Sequence, residues 1–200
     1  MERFVTVVSR GQHRHPDGLF YGGQSPCFAR TTLEKIFTTG LARARRVAVI
    51  DYHTGLGPFG YGELITGEPE GSEVHVRASS WYGSTVTPVG VAGSASAKIS
   101  GDWISAAPMI IPNAEVTAIA MEFGTISPLE VLQALRADNW LHRCADATQA
   151  WPQPIKQAML SAFLGSTDMW RGMIMGQSLA TTRQAIRGLQ QDQLTTPGGS

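Results

Sequence analysis

The stretch V-A-V-I-D-Y-H-T-G-L-G-P-F-G-Y-G-E, residues 47–63, opens with four apolar, mostly β-branched residues that read as a buried strand. The run stops at Asp51 and His53. It then enters a loop holding Gly55, Gly57, Gly60 and Gly62, which permit tight turns and close backbone approach to a ligand. Open α/β sheets place their sites beyond the carboxyl ends of strands, so a strand that delivers a histidine into such a loop marks a candidate site. The plainer alternative is a histidine that hydrogen-bonds within a turn shaped by the glycines.

Upstream of this stretch, residues 31–46 read as an amphipathic helix with Leu33, Ile36, Phe37 and Leu41 on one stripe. Thr31 or Thr32 would cap it, Gly40 would weaken its middle, and Arg43, Arg45 and Arg46 would offset the macrodipole at its end. Feeding directly into the strand, it makes half of a β-α-β unit. Earlier still, residues 4–8 (F-V-T-V-V) are a short strand candidate, followed by a loop with R-G-Q-H-R-H-P-D-G-L-F-Y-G-G at its heart. Pro16-Asp17-Gly18 there is a turn signature. His13 and His15 flank Arg14 and share one face of an extended segment, so they could bind a metal if a third ligand came from elsewhere. Solvated loop histidines are the alternative.

Downstream, residues 64–66 continue as a short strand and residues 72–82 have helical character. Residues 85–92 alternate like a strand or extended loop, and a helix is expected over residues 95–109. A second buried run follows at residues 116–123, V-T-A-I-A-M-E-F, with one acid, Glu122, inside it. A carboxylate there is unfavourable unless paired, hydrogen-bonded or put to use. Gly124-Thr125 ends the run at once, so Glu122 also lies at a carboxyl edge, where it could alternatively turn to water.

The remainder reads as helical. Ser127, Pro128 and Glu130 have the pattern of a helix start, and Leu129, Leu132, Leu135 and Trp140 form a core-facing stripe. His142 reads as a surface residue near that helix's end. Further helices are expected over residues 154–164 and 167–189, with Met169, Met173 and Met175 as adaptable core. The polar tail, residues 193–200, reads as disordered, and no linker divides the rest into two domains.

Sixteen basic and sixteen acidic residues cancel in this 200-residue chain, so no global field steers it to nucleic acid or an anionic membrane. Two cysteines, Cys27 and Cys144, with no C-x-x-C spacing, argue against a cysteine zinc site and a disulfide-stapled secreted domain. A bridge between the two stays open. No apolar stretch reaches bilayer-spanning length, and residues 1–8 are too short for a secretory signal, which makes the cytoplasm the default location.

A histidine can bind zinc through a neutral ring nitrogen, and a glutamate beside it can take a proton from metal-activated water. His53 and Glu122 have those chemistries, and both are expected on neighbouring parallel strands facing one cleft. The blocks I-D-Y-H-T-G-L-G-P-F-G-Y-G-E, G-Q-H-R-H-P-D-G-L-F-Y-G-G and I-A-M-E-F-G-T resemble, in order, an uncharacterised bacterial branch of the zinc carboxypeptidase superfamily. That superfamily includes carboxypeptidase A-like peptidases and aspartoacylase-like deacylases. The resemblance implies an α/β fold, a mixed sheet flanked by helices with a helical C-terminal region. It also implies a zinc-dependent hydrolase of peptide or amide bonds, with His53 as a zinc ligand, Glu122 as catalytic glutamate, and a peptide or N-acyl amino acid as substrate. The loop around residues 13–23 is expected to fold over the same cleft, with Tyr21 contacting substrate.

The superfamily carries its first two zinc ligands in an upstream H-x-x-E motif. Here His13, His15, His53, His75 and His142 are followed three residues later by Pro16, Gly18, Leu56, Ala78 and Ala145, so no H-x-x-E exists. Residues 1–192 therefore resemble the C-terminal portion of such a catalytic domain. Three readings follow. The chain is part of a zinc hydrolase completed by an upstream half, or a catalytically silent interaction module, or an enzyme in which His13 and His15 replace the absent ligands. The first two are favoured, with the isolated chain expected to bind zinc weakly, to lack peptidase activity and to be prone to self-association.

Overall fold

The computed structural model describes residues 10–91, 94–95, 99, 101–144 and 152–191. Its elements run α1 (Phe28–Gly40), β1 (Arg46–Phe59), β2 (Gly62–Thr66), α2 (Glu73–Tyr82), β3 (Thr87–Pro88), α3 (Trp103–Ile110), β4 (Glu115–Gly124), α4 (Pro128–Cys144), α5 (Pro152–Phe163) and α6 (Asp168–Gln191). The strands form one mixed sheet in the order β1-β4-β2-β3. β1 and β4 run parallel, β2 runs antiparallel to β4, and β3 runs parallel to β2. This is the α/β architecture with helix-flanked sheet and helical C-terminal region that the sequence implies.

Side chains alternate between the faces of a strand, and both faces here are covered. Ile50 of β1, Leu64 of β2 and Ile119, Met121 and Phe123 of β4 pack against Trp81 and Tyr82 of α2 and Trp170 and Ala185 of α6. The opposite face, with Val47, Val49, Val116 and Ala118, packs against Phe37 of α1 and Ile104 and Ala107 of α3. Helices α4 and α5 pack on each other through Val131, Ala134 and Ala162. Two hydroxyls tie α5 to the carboxyl-end halves of the parallel pair β1 and β4. Thr54 Oγ1 donates to the Phe163 carbonyl (2.7 Å) and Thr125 Oγ1 to the Ala162 carbonyl (2.5 Å).

Several boundaries differ from the sequence expectation. The strand expected to end at Asp51 continues to Phe59, because β4 keeps pairing with it through Thr54↔Phe123. The first helix begins at Phe28 and stops at Gly40. Thr31 does not cap it; its hydroxyl bonds back to the Phe28 carbonyl (3.0 Å) inside the helix. The arginine run lies beyond that helix, and Arg46 opens β1. The helix expected from residue 95 starts only at Trp103, where the Asp102 side chain accepts from the Ser105 N–H (2.9 Å) and caps it. Among the described residues 85–91, only Thr87–Pro88 pairs as a strand.

Of the stripe expected to face the core on α4, Leu135 packs against the α4–α5 cluster, and the buried part of that cluster is built by other residues. Leu129 and Trp140 are exposed, while Val131 and Ala134 are buried, since the small Ala134 lets α5 approach closely. Met169, Met173 and Met175 are exposed too, because the buried stripe of α6 is Trp170, Thr181, Ala185 and Gly188. Ser127 does open α4 reciprocally with Glu130, accepting from the Glu130 N–H (3.3 Å) while Glu130 Oε2 accepts from the Ser127 N–H (3.0 Å). The expected strand at residues 4–8 and the tail at 193–200 lie outside the described residues.

Candidate functional site

On the α1/α3 face of the sheet, β1 reads Val47, Val49, Asp51, His53 and β4 reads Val116, Ala118, Ala120, Glu122. The faces change from apolar to ionisable at the same level. His53 and Glu122 are Cα partners on adjacent parallel strands, so their side chains leave the sheet on the same side. Glu63 is the antiparallel partner of Glu122 on β2. Directly opposed positions hold their Cβ atoms about 4.5–5.5 Å apart. A histidine and two glutamates therefore form one row across three strands, with Asp51 one step behind His53.

The backbone beyond this row is shaped by a bulge. Between Thr54↔Phe123 and Phe59↔Gly124, β1 carries residues 55–58 without partners in the ladder. Gly57 takes φ +99, which favours glycine, and its carbonyl and that of Pro58 lie so close to Gly124 that a side chain there would collide with them. The bulge thus presses on the strand end and brings the Leu56 N–H to Glu122 Oε1 (3.1 Å). From the other side, Gln177 of α6 clamps the β1–β2 turn. Its Nε2 donates to the Gly60 carbonyl (2.7 Å) and its Oε1 accepts from the Gly62 N–H (2.9 Å).

Asp51 Oδ2 lies 2.7 Å from His53 Nε2 and accepts from the indole Nε1 of Trp103 at 2.6 Å. The hydrogen bond to Asp51 raises the His53 pKa above its ordinary value of 6.5. Burial opposes this, and the charges of Asp51 and Glu122 add to it. Burial raises the Glu122 carboxyl above its ordinary 4.5. The Leu56 N–H and His53 oppose that rise, while the charges of Glu63 and Asp51 add to it. Glu63 is buried and accepts from the Ala95 N–H through Oε2 (2.8 Å). A half-buried carboxyl with a raised pKa beside an oriented imidazole is an arrangement suited to proton transfer.

The N-terminal loop bonds to α4. Arg143 of α4 pairs with Asp17 and donates to the Pro16 carbonyl (3.2 Å), and Asn139 donates to the Asp17 carbonyl (3.1 Å). Tyr21 bridges to Gln12 within the loop and meets His13 edge-on at 6.3 Å. His13 Nδ1 lies 3.1 Å from the Gly23 carbonyl oxygen, and its ring fills the space over Gly22. Among the described residues, no three of His, Cys, Asp and Glu are grouped to hold a metal ion, so His13 and His15 do not join His53 in such a set. Cys27 is a free, exposed thiol.

Three residues that the sequence reading did not single out complete the row. Asp51 is legible from strand parity, since positions 51 and 53 share a face once the strand runs on past them. Glu63 needs the β2–β4 register. Trp103 carries no local signal at all.

The fold and the row define an α/β protein whose sheet gathers one histidine and three carboxylates where the carboxyl-end halves of β1 and β4 meet the amino end of β2. The family model described as protein of unknown function (DUF2817) matches residues 1–177, and the chain belongs to that family. No curated protein and no solved structure matches it. Among the described residues, no helix is long and apolar enough to cross a membrane.

Proposed function

We propose that this chain supplies the proton-transfer side of a zinc-dependent hydrolase of peptide or amide bonds, akin to the zinc carboxypeptidase superfamily. One observation carries the reading. His53 and Glu122 stand in register on adjacent parallel strands, on one face, with the imidazole held by Asp51. Glu122 has the burial and raised pKa suited to taking a proton from water and returning it to a leaving amine. One of its oxygens is held by the Leu56 N–H, which fixes the carboxylate's orientation.

A catalytic zinc takes three protein ligands and keeps one open position. His53 has the character of one ligand, since a carboxylate on the second nitrogen is the usual outer-shell arrangement for a zinc-bound histidine. The described residues do not group two more. They do not fit a complete zinc site, and the remaining ligands are proposed to come from an H-x-x-E segment on an upstream half-domain or another chain. The substrate class under this reading is a peptide or N-acyl amino acid.

The test is to titrate zinc into the full chain by calorimetry and to assay blocked peptides and N-acyl amino acids, alone and with an H-x-x-E segment encoded upstream. The expected result is weak zinc binding alone, with turnover on adding the segment that Glu122→Gln removes. Turnover indifferent to Glu122→Gln would sink the proposal. A second reading, a silent interaction module, is favoured by Met175, Leu179 and Ile186, which are all exposed along α6. Partner capture that survives loss of both His53 and Glu122 would support it.

A further inference from the structure

Asp51 Oδ2 stands at the centre of two short contacts, 2.6 Å from the Trp103 indole nitrogen and 2.7 Å from His53 Nε2. An indole N–H only donates, and a carboxylate only accepts. An ionised Asp51 oxygen can bond His53 only if Nε2 carries a hydrogen, and the indole N–H donated to the same oxygen holds that oxygen in place. The neutral ring is then the Nε2–H tautomer, and its lone pair sits on Nδ1. The indole is itself fixed. It stands edge-on to Phe37 of α1 (5.3 Å between ring centres, 79° between planes), at the first position of α3, directly after the Asp102 cap.

We infer that Trp103 is a positioning residue for the site, acting through Asp51 to make Nδ1 the free nitrogen of His53. The side chains form a chain Phe37–Trp103–Asp51–His53, which links the helix layer on this face to the strand-end row. Neither Trp103 nor Asp51 needs to touch substrate for this. The inference deepens the hydrolase reading by naming the nitrogen through which His53 works, and it rests on that reading only for the consequence in activity.

The tautomer is read directly by nitrogen-15 NMR of the His53 ring in the full chain, at a pH where the ring is neutral. The wild-type chain is expected to show a protonated, pyrrole-like Nε2 and an unprotonated, pyridine-like Nδ1. W103F keeps an aromatic ring against Phe37 but loses the donor. Benzothienylalanine at position 103 keeps the full indole shape without the N–H and serves if W103F is poorly folded. In both, the two ring resonances are expected to move toward each other as the tautomers mix, and D51N should mix them at least as strongly. Where turnover is measurable, W103F should lower it about 10-fold, the lower end of outer-shell effects. Ring resonances unchanged in W103F and in the isosteric chain, with D51N alone changing them, would overturn the role of Trp103. The NMR result needs no turnover, so it is decided separately from the hydrolase reading.

Discussion

The two ends of the β1–β4 strand pair carry ionisable residues in opposite ways. At the amino end, Arg46 and Glu115 are register partners joined by a 2.9 Å ion pair. Arg77 of α2 reaches the same Glu115 at 3.4 Å, donates to Thr117 Oγ1 (2.8 Å) and donates to the Val116 carbonyl (2.9 Å). Arg46 also lies over the Trp81 ring and donates to the Leu189 carbonyl (3.2 Å). Each charge there faces its opposite, and the network ties two helices to two strands. About 23 Å along the same strand, at 3.3 Å per residue, His53 is the one basic side chain in a row with Asp51, Glu122 and Glu63. The first arrangement fastens the fold. The second holds two groups with raised pKa values in a fixed geometry, which is a poor way to fasten strands and a good way to move protons.

The largest effect expected on breaking this contrast is on turnover. In the assembly that carries activity, Glu122→Gln should reduce kcat/KM by about 10²–10⁴-fold, the usual contribution of a general base. Its urea unfolding midpoint should stay equal or rise, since a buried charge is removed. A comparable loss of stability in Glu122→Gln would erase the distinction between the two ends.

Arg77→Ala should do the reverse. It removes the Arg77 bonds to Thr117 and the Val116 carbonyl and leaves Glu115 to Arg46 alone, and is expected to destabilise the chain by about 2–3 kcal/mol in urea unfolding. That lies below the loss for a fully buried pair, because the Glu115 side chain is 41% exposed. Activity per folded molecule should be unchanged.

Gly124→Ala sharpens the carboxyl end by its backbone. The added methyl collides with the Gly57 and Pro58 carbonyls, so the bulge must shift and carry the Leu56 N–H away from Glu122. A loss of about 1–3 kcal/mol is expected, the range for overpacking, together with reduced turnover. A variant as stable as the parent would show that the bulge is not held by that contact.

The smallest expected effect is in pH. Glu122 and His53 both have folded pKa values above their ordinary ones, so the folded chain holds protons that the unfolded chain has already released. Their favourable contribution is full below the ordinary values of 4.5 and 6.5 and is lost as pH rises through the folded values. Unfolding free energy measured against pH should therefore slope downward in those windows. Glu122→Gln should flatten the lower window, and His53→Asn the upper. A profile identical in parent and variants would contradict the assigned shifts.

The amino-acid sequence alone settles what depends on short runs of residues. The buried strands, their polar ends at His53 and Glu122, and the Ser127–Glu130 start of α4 follow from side-chain type and spacing within a few positions. What it left open was decided by contacts between distant segments. β1 outruns its glycines because β4 pairs with it. Glu63 meets Glu122 because β2 runs antiparallel to β4 in one particular register. Asp51 and Trp103 meet across 52 positions, and Arg143 reaches Asp17 from the far side of the chain. The buried face of α4, Val131 and Ala134 with Leu135 packed beside them, follows from the close approach of α5 at Ala162. Local preference sets where strands and helices form. Only packing sets which of their side chains share a site, because that depends on register and close approach, neither of which leaves a periodic mark on the chain.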